Sequence, residues 1–436
     1  MNYYTNMRSI TRLIAVASLA CVLSNALHAL PRYDLAYTLS GAGGVMMEDG
    51  KVDPFIGRPI LGGQFAVEFL PTGRWHCLQQ WNNASIGVGA AYLNLGNEAK
   101  LGSAFAAFAY MNQPFYNGTH FRIGARPTVG LAALSKRYSN TCEGAHKYQD
   151  HTGANWSIGS ILNAYLAMEL YMDFPIKDGW EITLAGGWHH MSNGSVMHPN
   201  AGYNLFGAEL GVRYAPSRSS SQSRPSSPPS TKELHDEVEK PWAVEISATG
   251  GMKQNYYADN QHGQKFYGVA TLKAAAYWVP VSIFRIGGGF DAFYDGYYGA
   301  VSKEFADAHP NKPVTYFGKT YLKNGAVKNC FRVGFSIQPE FIIGRLTAGL
   351  HVGFYLYDPI KNLEPYEKVE ANGGEPLDRG LFYTYNFMKA SNYQDGWCYM
   401  QFILKYHVLD NMFVQLGLKT HGVRAEFIDA GIGVAF

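Results

Sequence analysis

Three features of the sequence predict an exported, all-β protein, a transmembrane antiparallel β-barrel of about sixteen strands. Apolar and polar residues alternate with a spacing of two through segment after segment, broken by Gly, Asn, Asp and Pro. Charged residues are only 16% of the 436, while 48 Gly, 30 Tyr and 25 Phe supply turns and aromatic bulk. The chain opens with a basic start and a short apolar run.

The N-terminal segment comes first. Arg8 and Arg12 precede the apolar stretch Leu13 to Leu23, and Ala29 stands before a change of composition. The stretch is well short of the ~18–20 residues of a spanning helix, so 1–29 reads as a signal peptide and the mature chain as exported. No later apolar run is long enough to make a helical membrane protein. A net charge of +2 gives no electrostatic case for nucleic-acid binding. Four cysteines remain after the leader, too few for a disulfide scaffold. Of these, Cys77 and Cys142 fall at opposite ends of the barrel, whereas Cys330 and Cys398 both start strands at one end and allow a bridge.

Alternation places strands at 33–46, 59–71, 84–96, 101–112, 119–135, 157–172, 180–192 and 203–215 in the first half. The second half offers 242–257, 264–278, 281–295, 328–338, 345–357, 396–408, 411–420 and 424–436. Between the halves, 217–241 is a Ser/Pro-rich, then charged, linker, giving units at 30–216 and 242–436. The halves echo each other weakly. Leu184-Ala185-Gly186 with His190 parallels Leu416-Gly417-Leu418 with His421, and 206–212 parallels 428–434. Either one barrel of about sixteen strands or two of about eight satisfies the pattern.

Connection lengths set the orientation. From an inner N-terminus, the outer connections 136–156, 296–327 and 358–395 are long and polar, while several inner ones are short, as in outer-membrane barrels. The inner connection 72–83 is long where a short one is expected. Strand 180–192 has one apolar face, Trp180, Ile182, Leu184, Gly186, Trp188, His190 and Ser192. Its other face is polar or small. In a soluble barrel the apolar face turns inward; in a membrane barrel it meets lipid, with Trp near the interfaces. Twelve steps of ~3.3 Å at a tilt of ~40° rise about 30 Å, close to a membrane span.

On that face His190 and Ser192 are two residues apart at the outer end of the strand. The next strand descends from Tyr203 and shares the parity, so Asn204 falls beside them. Polar groups at a lipid-facing rim are costly unless they are used. An imidazole can activate a serine hydroxyl, and the ring needs an acceptor on its second nitrogen, which Asn204 can supply through its carbonyl. Glu209 has the opposite parity and is excluded. Asn193 and Gly194, just past the strand end, are candidate donors to an oxyanion. His189 and His198 have no partners at metal-ligand spacing, and no motif for a metal or a cofactor is present.

The run His190-x-Ser192-Asn193, then Pro199-Asn200-x-Gly202-x-Asn204 and a Gly-rich alternating strand, resembles the lipid A 3-O-deacylase (PagL-like) family of outer-membrane barrels. The likeness is strongest to its long acyloxyacyl hydrolase branch of Bacteroidetes type. Gly57-Arg58-Pro59, Ile158-Gly159-Ser160 and Asn163-Ala164-Tyr165 fit that branch too, and the similarity covers most of 33–215 and, more loosely, the second half. The resemblance implies hydrolysis of an ester-linked acyl chain from lipid A in the outer leaflet, without cofactor, with Ser192 and His190 as catalytic pair. The family's catalytic Glu falls on Asn204, a departure that the branch shares. A second reading is a non-catalytic outer-membrane barrel, pore or surface scaffold, derived from the same family.

Overall fold

A computed structural model describes residues 34–47, 56–71, 76–141, 155–216, 241–254, 265–300, 315–316, 319–320, 327–358, 398–422 and 424–436. The leader 1–29, the linker 217–240, Cys142 and the greater part of the two long connections of the second half lie outside these residues. All sixteen expected strands form, and they close into two antiparallel barrels of eight rather than one large one. The first contains β1 (Leu35–Met46), β2 (Ile60–Phe69), β3 (Ser85–Asn94), β4 (Ser103–Asn117), β5 (Arg122–Leu134), β6 (Leu162–Lys177), β7 (Trp180–Ser192) and β8 (Tyr203–Tyr214). The second contains β9 (Trp242–Lys253), β10 (Tyr267–Val281), β11 (Phe284–Asp295), β12 (Phe331–Ile343), β13 (Leu346–Tyr357), β14 (Cys398–Leu409), β15 (Met412–His421) and β16 (Arg424–Ala435). Each ring shuts by pairing its first strand with its last: Leu39 faces Val212 in one, and Ser247 faces Gly433 in the other.

Several boundaries differ from expectation. β4 runs through Pro114 to Asn117, with an irregularity between Pro114 and Tyr116 that accommodates the missing N–H. β6 begins at Leu162 because 155–160 turns aside to brace a neighbouring loop. Cys330 and Cys398 are free thiols, so the bridge allowed by their positions does not form. A small hairpin pairs Thr315–Tyr316 with Lys319–Thr320 outside the barrels.

The echo between the halves aligns the seventh strand of one barrel with the seventh of the other, and the eighth with the eighth. His421, however, stands five residues after Leu416 where His190 stands six after Leu184. That single step turns it inward, against the Tyr355 hydroxyl and Glu426. Among the described residues the second barrel therefore has no outward imidazole at the matching position of β15.

Both barrels are apolar outside and polar inside. Outward Leu39, Phe65, Phe206, Leu210, Leu272 and Phe290 are exposed, as lipid contact requires. An eight-stranded barrel is just wide enough for its own side chains. Here buried ion pairs fill much of it, and in the first barrel an apolar cluster including Phe108, Tyr165, Met191 and Leu205 fills the end next to the β7–β8 loop. Arg213 bonds Glu68 and Glu181 at 3.0 and 2.6 Å, and Arg122 pairs with Asp173. In the second barrel Lys405 reaches Glu245 and Glu340 at 2.7 and 2.6 Å, and Arg285 joins the same two carboxylates. Buried charges are tolerable only when paired in this way.

The barrels touch at both ends. At the outer end the β7–β8 loop meets β9, β15 and β16. At the inner end the connection between β2 and β3 holds the short helix α1 (His76–Gln80) and reaches the β12–β13 turn. There Trp81 donates its indole N–H to the Ile342 carbonyl at 3.0 Å and packs edge-on to Phe341. The two contacts lie three to four strands apart in each ring. Strands tilted ~40° sweep about half the circumference over the barrel height, which brings those strands into one vertical seam. Within the unexpectedly long inner connection, Trp81 thus bridges the barrels.

Candidate active site

Parity and register build the site. In β7, Trp180, Ile182, Leu184 and Trp188 are exposed, whereas Glu181, Thr183, Ala185 and His189 are buried. Even positions therefore face out. β8 pairs with β7 so that Trp188 lies opposite Phe206 and His190 opposite Asn204. His190, Ser192 and Asn204 are brought together on the outward parity of β7 and β8, next to the loop that joins them. Glu209 faces inward, bonded to Gln64 and near Arg126. His189 also points inward, with its Nδ1 2.8 Å from the Tyr165 hydroxyl.

The three polar groups form a chain. His190 Nε2 is 2.8 Å from Ser192 Oγ, and His190 Nδ1 is 2.9 Å from Asn204 Oδ1. The direction of this chain follows from Trp188. Its indole N–H, a donor only, points at the same Asn204 Oδ1 at 3.3 Å. That atom must accept, so the Asn204 carbonyl faces the imidazole and His190 carries its proton on Nδ1. The Nε2 lone pair is left for the serine hydroxyl. The Trp188 ring also stacks on the His190 ring, 5.5 Å apart and 17° from parallel, fixing its tilt. Ser192 itself is nearly covered, at 8% exposure.

The loop 193–202 completes the site. Asn193 donates both amide protons internally, to Ser160 Oγ at 2.8 Å and the Met197 carbonyl at 2.9 Å. Its backbone N–H is bonded to Asn200 Oδ1 at 3.0 Å. Asn193 is therefore a brace with no donor left for an oxyanion, contrary to the sequence expectation. The Gly194 N–H, by contrast, has no hydrogen-bond partner among the described residues. Gly202 has φ +82°, and a Cβ there would stand 2.7 Å from His190 Cε1. Only glycine suits both the left-handed backbone and the close approach to the ring.

Sequence reasoning did not find this bracing shell. Ser157 accepts the N–H groups of Ala201 and Gly202 at 3.0 and 2.9 Å. Ser160, oriented by Asn163 at 2.9 Å, holds Asn193. In the sequence the segment 158–165 stands out only by the family resemblance, which gives it no role. Its signal was the run of small polar residues preceding a strand.

Among the described residues no group of three or more His, Cys, Asp or Glu is placed to hold a metal ion. No curated protein matches the chain. Among solved structures, Neisserial surface protein A is similar at 8% identity and TM-score 0.28, over 42% of this chain and 97% of that one. The outer membrane enzyme PagL is similar at 14% identity and TM-score 0.24, over 41% and 98%. A mutant porin of Rh. blastica shares 10% identity at TM-score 0.18, over 92% and 100%. Two family profiles match the sequence itself: Lipid A 3-O-deacylase (PagL) over residues 64–213, and Acyloxyacyl hydrolase, C-terminal domain, over 242–369 and 380–436. Matched by both profiles over most of its length, the chain belongs to the PagL lipid A 3-O-deacylase and acyloxyacyl hydrolase family of integral outer-membrane barrels.

Proposed function

We propose that this protein is an outer-membrane esterase that removes an ester-linked acyl chain from lipid A of lipopolysaccharide, using Ser192 as nucleophile and His190 as general base. The supporting observation is the Ser192–His190–Asn204 hydrogen-bonded chain on the outward parity of β7 and β8. A substrate in the outer leaflet reaches such a site sideways, with its acyl chains already in the apolar belt.

The chemistry needs no further group. His190 Nε2 takes the Ser192 proton as Oγ attacks the ester carbonyl, and a tetrahedral oxyanion forms. The Gly194 N–H is the donor offered to that oxyanion. His190 then gives its proton to the departing sugar oxygen, leaving an acylated Ser192. Water, deprotonated by the same nitrogen, releases the fatty acid and restores the hydroxyl.

Asn204 orients the ring but brings no negative charge to steady the imidazolium. An amide in that position fails outright when its NH₂ end faces the ring and traps the wrong tautomer, at a cost of about 10⁴ in rate. The Trp188 N–H prevents that inversion. Two variants test this account by release of fatty acid from purified lipid A in mixed micelles. Trp188→Phe should lower kcat by about tenfold or more, since the amide is then free to flip. Asn204→Glu should raise kcat, because it adds the missing charge. Parental rates in Trp188→Phe, or no release by the parent protein, would contradict the reading.

A further inference from the structure

The second barrel reaches the site directly. Ser195 Oγ donates to the Ala425 carbonyl on β16 at 2.7 Å. The Gln254 backbone N–H, just past β9, is shared by the Ser195 and Val196 carbonyls, each at 3.2 Å. The Gln254 side chain accepts the His198 N–H at 2.9 Å. Ile428 and Leu418 lie so close to Gly194 that a Cβ there would be 2.4 Å from Ile428 Cδ1 and 3.4 Å from Leu418 Cδ1. Gln254 is 1% exposed, so these contacts are sealed rather than superficial.

What they hold is an unfavourable backbone. Gly194 and Ser195 are consecutive left-handed residues, φ +61° and +69°. Serine in that region is destabilised, and a free loop would relax toward the right-handed basin. Gly194 itself carries the donor assigned to the oxyanion, and Ser195 follows it directly. A hydrogen-bond donor stabilises developing charge only when fixed in advance, and misplacement by about 1 Å can cost 10²-fold.

We propose that the second barrel is a positioning clamp for the esterase site of the first, with Gln254 as positioning residue and Ile428 as the apolar stop behind Gly194. The inference rests on the esterase reading and goes beyond it: it gives the second barrel a role in a site to which it contributes no reacting group.

The test uses the full-length chain in mixed micelles with purified lipid A. Gln254→Met and Ile428→Ala are combined; both residues lie in the second barrel and neither touches Ser192 or His190. Leu272→Ala, outward and exposed on β10, is the control. Heat-modifiable migration confirms that each variant folds. The double variant should show amide exchange at 196–198 faster by about tenfold and kcat lower by roughly tenfold, with KM within about twofold of parent. The control should change neither. Exchange and kcat both within about twofold of parent would overturn the clamp, and faster exchange with unchanged kcat would overturn its positioning role. Absence of any fatty-acid release by the parent would instead defeat the esterase reading, while the exchange result would still decide whether the second barrel holds the loop.

Discussion

Replacing Ser192 by alanine should reduce fatty-acid release from lipid A by at least about 10³-fold while leaving both barrels folded. The substitution removes one oxygen from the last residue of β7, and the strand pairing there is made by backbone groups. His190 keeps its bond to Asn204 and its stacking on Trp188, so the ring stays in place. What is lost is the proposed nucleophile, and with it the proposed acyl-enzyme route. The residual rate should come from substrate binding and the oxyanion donor, the pattern seen when one member of a hydrolytic unit is deleted. Release at the parental rate would show that another residue performs the chemistry.

Replacing Arg213 by methionine should destabilise the first barrel by about 3–5 kcal/mol. The guanidinium sits inside the barrel at 1% exposure, bonded to both oxygens of Glu68 at 3.0 Å and to Glu181 at 2.6 Å. Without it, two carboxylates stay buried. Ser85 still bonds Glu68, and Arg122 lies 3.9 Å from Glu181, so compensation is partial. The measurement is the urea midpoint of unfolding in micelles. Arg345→Met is the comparison, because Arg345 pairs at 3.3 Å with a fully solvated Asp410 and should cost no more than about 1 kcal/mol. Equal midpoints for the two variants would show that the interior network contributes no more than a surface pair.

Much of this architecture was legible in the residues, for a physical reason. A strand facing lipid on one side and a polar lumen on the other must alternate strictly, so Trp188, His190 and Ser192 could be assigned one face from sequence alone. The start of the next strand at Tyr203 and its shared parity then set Asn204 beside His190, as the register shows. Closure was not legible. Alternation is local, whereas the choice between one ring and two depends on whether β8 pairs back to β1, a contact between residues far apart in sequence. The start of β6 was misplaced because Ile158 and Ser160 also alternate, yet they serve the 193–202 loop. Asn193 looked like an oxyanion donor by position; only three-dimensional contacts reveal that its protons are already committed. Gln254 was invisible for the same reason, since nothing local ties the end of β9 to a loop more than fifty residues earlier.

A Ser192 activated by His190 and reached by acyl chains from the membrane should react when the folded protein in bilayers is treated with a long-chain alkyl fluorophosphonate and the modified peptide is located by mass spectrometry. The account predicts modification at Ser192 from the membrane-partitioned reagent, and loss of that labelling in His190→Ala. No modification of Ser192, or labelling undiminished in His190→Ala, would contradict it.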